Sequence, residues 1–574
     1  MKLARLLHMS PDEIYTRVRQ AVSKRWVSPP ACRTVSSAAS PSLPDLAPVG
    51  SPEQAEKLLQ HRFDLLGYRG LDFGNPIDWH FDPVHQKRAP RKPWHEIPFL
   101  DFDQVGDHKI IWELNRHQHL VILAQAGYGD EVRRQWTHWQ AENPYPIGIN
   151  WASSLEVAFR ALSWLWVRHL LRDFHPELLP AVHLHGWHIE RYLSTYFSPN
   201  THLLGEGVAL FAIGVMCPQL ADAQRWLTRG WRIVLEQAES QVRPDGFHFE
   251  QSVYYHVYGR DFFAFARCLA AMNGIAIPPS FDRAIEKMDE ALAALSQGGC
   301  YPNFGDDDGG RVIGAPALRL NGSTAGPVGG IYSMKSGSSQ LFIDAGPQGA
   351  LTAGHGHADA LSVQLIADGR PVLIDPGTFC YVCPERDRFR GTAAHNTEQV
   401  DGRDQAQPAG PFGWNNLPEV TVDRSYTDED YELFVGHHDG YRPLIHQRWV
   451  VGVKAGFWLV RDLVTGTGVH RLDIHWHYLD ERQIAVIPPA GHTWSVSRER
   501  WDWSPVYGRK EPAFVLRFSA ETALPAEFAV ILVQGNPGRF TQTAPAAFRY
   551  EEADGSHEFV FRDSQLVYRR KAKR

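Results

Sequence analysis

The run Gly354-His355-Gly356-His357-Ala358-Asp359, followed by Ile374-Asp375-Pro376-Gly377 and Ala394-His395-Asn396-Thr397, gathers three histidines and two aspartates within a short stretch. Two histidines spaced H-x-H on an extended segment point to the same side. Imidazoles joined by a carboxylate suit a borderline divalent cation such as zinc or manganese. One histidine is left over, and a spare imidazole beside a cation is a proton-transfer group in waiting. The competing reading is that these are ordinary core or surface histidines, because the chain has 28 of them.

Two further segments concentrate polar chemistry. Ser198-Pro199-Asn200-Thr201-His202 breaks a helical pattern and offers amide and imidazole donors at a helix start, where the local field favours anions. Read without function, it is a turn whose Asn200 caps the next helix. Pro244-Asp245-Gly246 then leads into Glu250-Gln251-Ser252-Val253-Tyr254-Tyr255-His256-Val257-Tyr258. A tyrosine there could remove or return a proton. The plainer alternative is a set of amphipathic tyrosines at a domain interface.

The elements that must carry these residues change character along the chain. Ser10-Pro11-Asp12-Glu13 reads as a helix start, with Ser10 as N-cap, Pro11 in the first turn and Glu13 closing a capping box. Pro29 to Gly50 is a Pro/Ser/Ala-rich linker or strap. From Ser51 to Gly299 apolar residues recur at three and four, as in Leu155, Phe159, Leu162 and Trp166. Helical stretches are expected at Ile110 to Ala126, Glu131 to Glu142, Leu178 to Phe197, Gly205 to Met216, Ala221 to Val242 and Tyr254 to Met272. Short connections make these helical hairpins, an incomplete α/α toroid. After Gly299 the pattern turns to short strands, with Asp368-Gly369 as a hairpin turn. The expected architecture is α+β: residues 1–50 a helix and linker, 51–310 the toroid, 311–574 an antiparallel β-sandwich.

Bulk properties remove several function classes. A net charge of −7 disfavours a nucleic-acid binder. No apolar run approaches the ~20 residues that span a bilayer. Met1 to Trp26 interleaves basic and acidic residues without a sustained apolar core, so no signal peptide is expected, and the compartment stays open between cytoplasm and export by another route. Six cysteines are too few for a disulfide framework in a chain of 574 residues, and Cys380-x-x-Cys383 lacks the second pair of a zinc ribbon. An aromatic content of 12% fits clefts that stack on sugar rings, although most of the 19 tryptophans belong in cores.

Together, the Asn200-Thr201-His202, Asp245-Gly246…Glu250-Gln251-Ser252…Tyr255-His256, His355-Gly356-His357-Ala358-Asp359, Ile374-Asp375-Pro376-Gly377-Thr378 and Ala393-Ala394-His395-Asn396-Thr397 series resembles the heparinase II/III superfamily of polysaccharide lyases, over roughly Trp112 to Asn416. The resemblance implies β-elimination on a uronic-acid polymer, whether a glycosaminoglycan (heparan sulfate, hyaluronan, chondroitin sulfate) or alginate. It implies Tyr255 as catalytic base and acid, His355 as its partner in proton transfer or sugar orientation, and Asn200 neutralising the uronate carboxylate. It implies substrate contacts from His202, His256, Trp151, Glu206 and Arg390. The metal ligands would be His357, Asp375 and His395, and a structural zinc or manganese that positions the cleft is the favoured role. Such a lyase needs no attacking water, so a glycosidase-type carboxylate pair is not expected. Two other classes stay open: a metal-dependent hydrolase, whose three ligands would activate water, and a non-catalytic carbohydrate-binding protein of a polysaccharide assembly cluster. Formation of an unsaturated product separates the first from the lyase. Retention of Asn200, Tyr255 and His355 together speaks against the second. The expected partner is an acidic polysaccharide, with no nucleic acid and no membrane; the oligomeric state is not legible.

Overall fold

The computed structural model describes residues 9–318, 326–562 and 565–572. Its first helix, Pro11–Trp26, begins as the sequence indicates, with the Ser10 hydroxyl accepting the Glu13 amide at 3.1 Å. The Glu13 carboxylate pairs with Arg17 instead of closing the box. The strap that follows is pinned to the body by backbone bonds, among them Val35 N to Gln219 O at 2.8 Å.

Helices then dominate to Leu295, although Ser51 to Gly299 is not uniformly helical: two short hairpins, Arg62–Leu65 with Tyr68–Asp72 and Phe81–Asp82 with Lys87–Arg88, precede the main helices. The expected helix from Ile110 to Ala126 is two, His108–Asn115 and Gln118–Gln125, because His117 adopts a left-handed backbone (φ 59°). Gly129–Glu142, Ser154–Leu170, Thr201–Met216, Ala223–Gln241 and Val253–Met272 lie within about a turn of expectation, His175–Arg191 ends short of the expected Phe197, and Pro279–Leu295 is a further helix that the sequence reading did not single out. Thr201–Met216 is the hub. It is buried on nearly every side and packs against the Ser154, His175, Ala223 and Val253 helices. Its approach to the Ala223 helix depends on Gly214 and Gly230: a Cβ on either would lie 2.3 Å from the facing backbone nitrogen, of Leu227 or Phe211.

Beyond Ile331 the strands form antiparallel sheets, with loops and the short helix Arg386–Arg390 between them. One sheet is ordered Ser495–Val506, Arg509–Ala523, Val469–Tyr478, Arg370–Leu373, Val363–Ala367, Ser339–Asp344, Ile331–Ser336, with Glu398–Val400 branching from Val469–Tyr478. The second runs Val420–Thr427, Tyr431–His438, Ile445–Val453, Phe457–Thr465, Ala526–Val533, Ala485–Ile487. Their facing side chains, including Trp458, Trp476, Phe434, Phe518 and Phe528, form the sandwich core. The outer face of the second sheet is covered in turn by a four-stranded meander, residues 539–572. This makes three layers. The turn between Val363–Ala367 and Arg370–Leu373 has positive φ at both Asp368 (48°) and Gly369 (70°), the geometry that suits a tight hairpin.

Toroid and sandwich share a continuous apolar seam in which Phe247, Val253, Leu295 and Phe304 meet Ile331, Phe342 and Ile366. No helix among the described residues is long and apolar enough to cross a membrane. Cys380 and Cys383 are disulfide-bonded, a pairing that the lone C-x-x-C gave no reason to expect.

Candidate active site

At the start of the hub helix, Asn200 uses both ends of its amide. Oδ1 accepts the His202 backbone N–H at 3.1 Å, capping the helix, while Nδ2 donates to Glu250 Oε2 at 2.8 Å. The capping and functional readings of Asn200 are therefore compatible in one side chain. The other Glu250 oxygen accepts the Thr201 N–H at 3.1 Å. Burial pushes the Glu250 carboxyl above its ordinary value, against the pull of His355 and these donors. His202 is half-buried, and burial together with the nearby His355 lowers it to about 4, so it is neutral at physiological pH.

Ser252 caps the Val253 helix by accepting the Tyr255 N–H at 3.1 Å, which aims the first turn at the seam. The Tyr255 ring stacks on His355 with centroids 3.8 Å apart, and its hydroxyl meets the Tyr381 hydroxyl at 2.8 Å. Burial and nearby carboxylates drive the Tyr255 hydroxyl far above its ordinary value; the Tyr381 hydrogen bond pulls it back in part. Tyr254, its neighbour, is spent structurally, donating its hydroxyl to the Gly310 carbonyl.

His355 is held from behind by a residue the sequence reading did not single out. Asp306 Oδ2 lies 3.1 Å from His355 Nδ1, and Oδ1 lies 3.0 Å from His357 Nε2. Arg386 reaches the same carboxylate through two bonds, 2.5 and 2.7 Å, and Thr378 adds a third donor to Oδ1 at 3.2 Å. Burial alone would raise Asp306, but Arg386 and the two histidines hold it well below the carboxylate range. For His355, burial is outweighed by the Asp306 hydrogen bond and the charges of Glu250 and Asp306, and its net shift is upward. Its Nε2 faces Glu250 at 3.5 Å, so one chain of contacts runs from Asn200 through Glu250 and His355 to Asp306.

On the far side of Asp306, His357, Asp359, Asp375 and His395 each present a ligand atom within 4.8 Å of the others, all buried. His357 Nδ1, Asp359 Oδ2 and His395 Nε2 are enclosed and have no hydrogen-bond partner. Asp375 is more committed: Oδ1 accepts the Gly377 N–H and Oδ2 lies 3.0 Å from His395 Nδ1. That is the carboxylate–histidine arrangement that orients an imidazole toward a cation. The three residues picked from sequence do converge, and Asp359 joins them with a free oxygen.

Four residues expected at the substrate lie elsewhere. Trp151 is 1% exposed in the toroid core, with its indole N–H on the Asn143 carbonyl, so no sugar can stack on it. His256 bridges the His248 amide and the Met288 carbonyl inside the helical layer. Glu206 accepts the Ser194 amide and hydroxyl at 2.7 and 2.6 Å in a closed environment that raises its carboxyl to about 8. Arg390 is fully buried, donates to the Gly410 and Pro411 carbonyls and covers the Trp414 ring. Asp306, Arg386, Tyr381 and Glu250 are the residues that complete the cluster instead.

Comparison with known proteins finds relatives along most of the chain. The "Heparin-sulfate lyase" of Pedobacter heparinus is 24% identical over 557 residues, covering 84% of this chain and 79% of its own. The one of Bacteroides stercoris is 23% identical over 510 residues, with 75% and 70% covered. Among solved structures, one of heparinase III superposes with a TM-score of 0.70 at 17% identity, covering 94% of both chains. A second, of the Pedobacter heparinus heparan sulfate lyase, gives 0.52 at 21%, covering 97% of this chain and 94% of the other. Residues 45–311 match the heparinase II/III N-terminus and residues 318–534 the heparinase II/III-like C-terminal domain; the chain belongs to the heparinase II/III superfamily.

Proposed function

We propose that this protein is a polysaccharide lyase that cleaves a uronic-acid-containing polysaccharide by β-elimination, with the glycosaminoglycan heparan sulfate the leading substrate and hyaluronan, chondroitin sulfate and alginate the alternatives. The observation that carries the reading is the contact of Tyr255 with both His355 and Tyr381, beside Asn200 at a helix N-terminus. The relatives named heparin-sulfate lyase support the substrate class.

In this mechanism the proton at C5 of the uronate leaves, its C–H electron pair becomes the C4–C5 double bond, and the C4–O4 bond breaks as O4 takes a proton. Charge grows on the uronate carboxylate, where the Asn200 amide, the neutral His202 ring and the amide end of the hub helix supply donors. One preorganised donor of this kind is worth about 3–4 kcal/mol of barrier. Tyr255 moves the proton. Its hydroxyl rests protonated because it is buried, so to act as base it must first release that proton to solvent; the Tyr381 hydroxyl is placed to donate to the resulting phenolate, which takes the C5 proton and, as the re-formed hydroxyl, passes it to O4. His355, fixed by Asp306, sets the face of the tyrosine ring and one wall of the sugar site. No step needs an attacking water.

A divalent cation, zinc or manganese, fits the His357, Asp359, Asp375 and His395 quartet because three of its donor atoms are otherwise buried without partners. When bound it would neutralise the buried aspartates and anchor the H-x-H segment. Its role is structural: His357 shares Asp306 with His355, so holding one imidazole positions the other.

Incubation with heparan sulfate, hyaluronan, chondroitin sulfate and alginate, read by ultraviolet absorbance of the new double bond, tests the reaction. Release of saturated ends alone would mean hydrolysis. For the cation, wild type should carry it on elemental analysis while His357→Ala does not, and the variant should melt earlier, since a ligand of the folded state stabilises it. Equal metal content in the two proteins would remove the site.

A further inference from the structure

A cavity of about 410 Å³ lies on the outside of the toroid, where the Pro11–Trp26 helix and the strap cross the His175–Arg191 and Ala223–Gln241 helices. Five arginines line it: Arg19, Arg33, Arg191, Arg225 and Arg229. Only two carboxylates face them, Glu190 and Asp222, and both are engaged. Arg225 bridges the pair at 2.5 and 2.6 Å, and Arg229 reaches Glu190 at 3.2 Å. Arg19, Arg33 and Arg191 have no carboxylate partner among the described residues, and the Arg19 Nε is enclosed with no hydrogen bond at all. This surplus of positive charge stands out on a chain whose net charge is −7.

Arg33 is exposed and Arg19 half-buried, and the backbone that carries each is anchored. The Arg33 backbone carbonyl accepts the Ala221 amide at 3.0 Å, which fixes the strap over the cavity. Arg19 sits on a helix moored by Gln20 to the Leu193 carbonyl (3.1 Å) and by Ser23 to the Tyr192 hydroxyl (3.0 Å). Trp187 contributes an apolar wall. Forked guanidiniums match carboxylate and sulfate oxygens, and an indole beside them suits a sugar ring. The volume falls within the range of small-ligand sites and exceeds what a single inorganic ion needs. The loop that begins at Arg191 ends at Asn200, so the cavity and the reaction centre sit at the two ends of one connection.

We infer that this cavity is a second saccharide-binding site, which holds a sulfated or carboxylated segment of the polymer away from the bond being cut. The inference rests on the proposed lyase reading for its ligand class. It makes Arg19 and Arg33 affinity residues for long chains, with no part in proton transfer.

The test is Arg19→Ala/Arg33→Ala, which leaves the Gln20 and Ser23 moorings intact; an unchanged melting temperature checks that the helix stays docked. KM for long heparan sulfate should rise about tenfold with kcat unchanged, while kinetics on a tetrasaccharide that fills only the reaction centre stay at wild-type values. The polymer effect should shrink as salt screens the arginines. Equal losses on polymer and tetrasaccharide, or no loss on either, would overturn the second site. Direct binding separates this from the lyase reading. If wild type forms no unsaturated product from any polymer, a heparan sulfate octasaccharide that binds wild type more tightly than the double variant still supports the cavity while removing the lyase. Binding of inorganic sulfate with no preference for the octasaccharide would reduce the cavity to a simple anion site and overturn the inference.

Discussion

A single hydroxyl separates Tyr255 from phenylalanine, and its two contacts say what the loss would do. The stacking on His355 survives in Tyr255→Phe, whereas the bond to Tyr381 does not. Folding and KM should be nearly unchanged and kcat should fall by about 10²–10⁴, the usual worth of positioned proton transfer. Tyr254→Phe, which loses only the bond to the Gly310 carbonyl, should cost little activity. Near-normal formation of unsaturated product by Tyr255→Phe, together with its abolition in His355→Ala, would hand the proton to histidine. Asn200 needs a finer test because it does two things. Asn200→Ala should lose about 0.5–2 kcal/mol of stability with the cap as well as activity. Asn200→Ser should recover the cap, since a hydroxyl accepts the His202 amide, yet stay impaired in kcat for want of the Nδ2 donor. If the serine variant regained full activity, capping would be the whole role of Asn200. The residues that the sequence did not disclose share one property. Asp306 meets His355, His357 and Arg386 across 49, 51 and 80 positions of chain, and no periodicity links such partners. The acidic run Asp306-Asp307-Asp308 after a glycine was the one available hint. Trp151, His256 and Arg390 err in the opposite direction: their types suit sugar recognition, but which face of an element they occupy is settled only by packing.

At the level of elements, the helices that carry a strong three-and-four pattern were legible, and the reading caught all but the first turn of the Thr201 helix. Its interior also holds a testable electrostatic feature. Glu206 is raised from 4.5 to about 8 by burial, with the two Ser194 bonds only partly opposing this. Between those values the folded chain keeps a proton that the unfolded chain has released, so stability should fall as pH rises from about 4.5 to about 8. In Glu206→Gln the Ser194 hydroxyl can turn to accept from the amide, and the melting temperature should decline less over that window than in wild type. Parallel profiles for the two proteins would show that Glu206 titrates normally. The break at His117 shows where element reading stops. A left-handed residue that ends a helix is ordinarily glycine, and a histidine there gives no local warning.

For the whole molecule, the change of architecture near Gly299 was visible as a change of period from helix to strand, and the Asp368-Gly369 turn gave one hairpin its register. The third layer was not visible. Strands buried on both faces read as continuous apolar runs, as in Trp449-Val450-Val451 and Trp458-Leu459-Val460, and such a run does not say what covers its second side. Here Val450, Trp458 and Val460 face the sandwich core, while Trp449, Val451 and Leu459 meet Phe548, Tyr550, Phe559 and Phe561 of the C-terminal meander.

That cover has a practical consequence for anyone cutting the gene. The matched C-terminal family segment stops at residue 534, which makes a chain ending there look like a natural minimal enzyme. It would strip the meander from Leu433, Val435, Trp449, Val451, Leu459 and Ile531 and leave a broad greasy plane open to water. Contiguous apolar patches of that kind drive self-association. A fragment of residues 1–534 should therefore enter inclusion bodies, or elute from a sizing column as large, polydisperse particles, even though every catalytic group is retained. A monodisperse, soluble fragment of that length would mean that the meander is an ornament rather than a lid on the sheet.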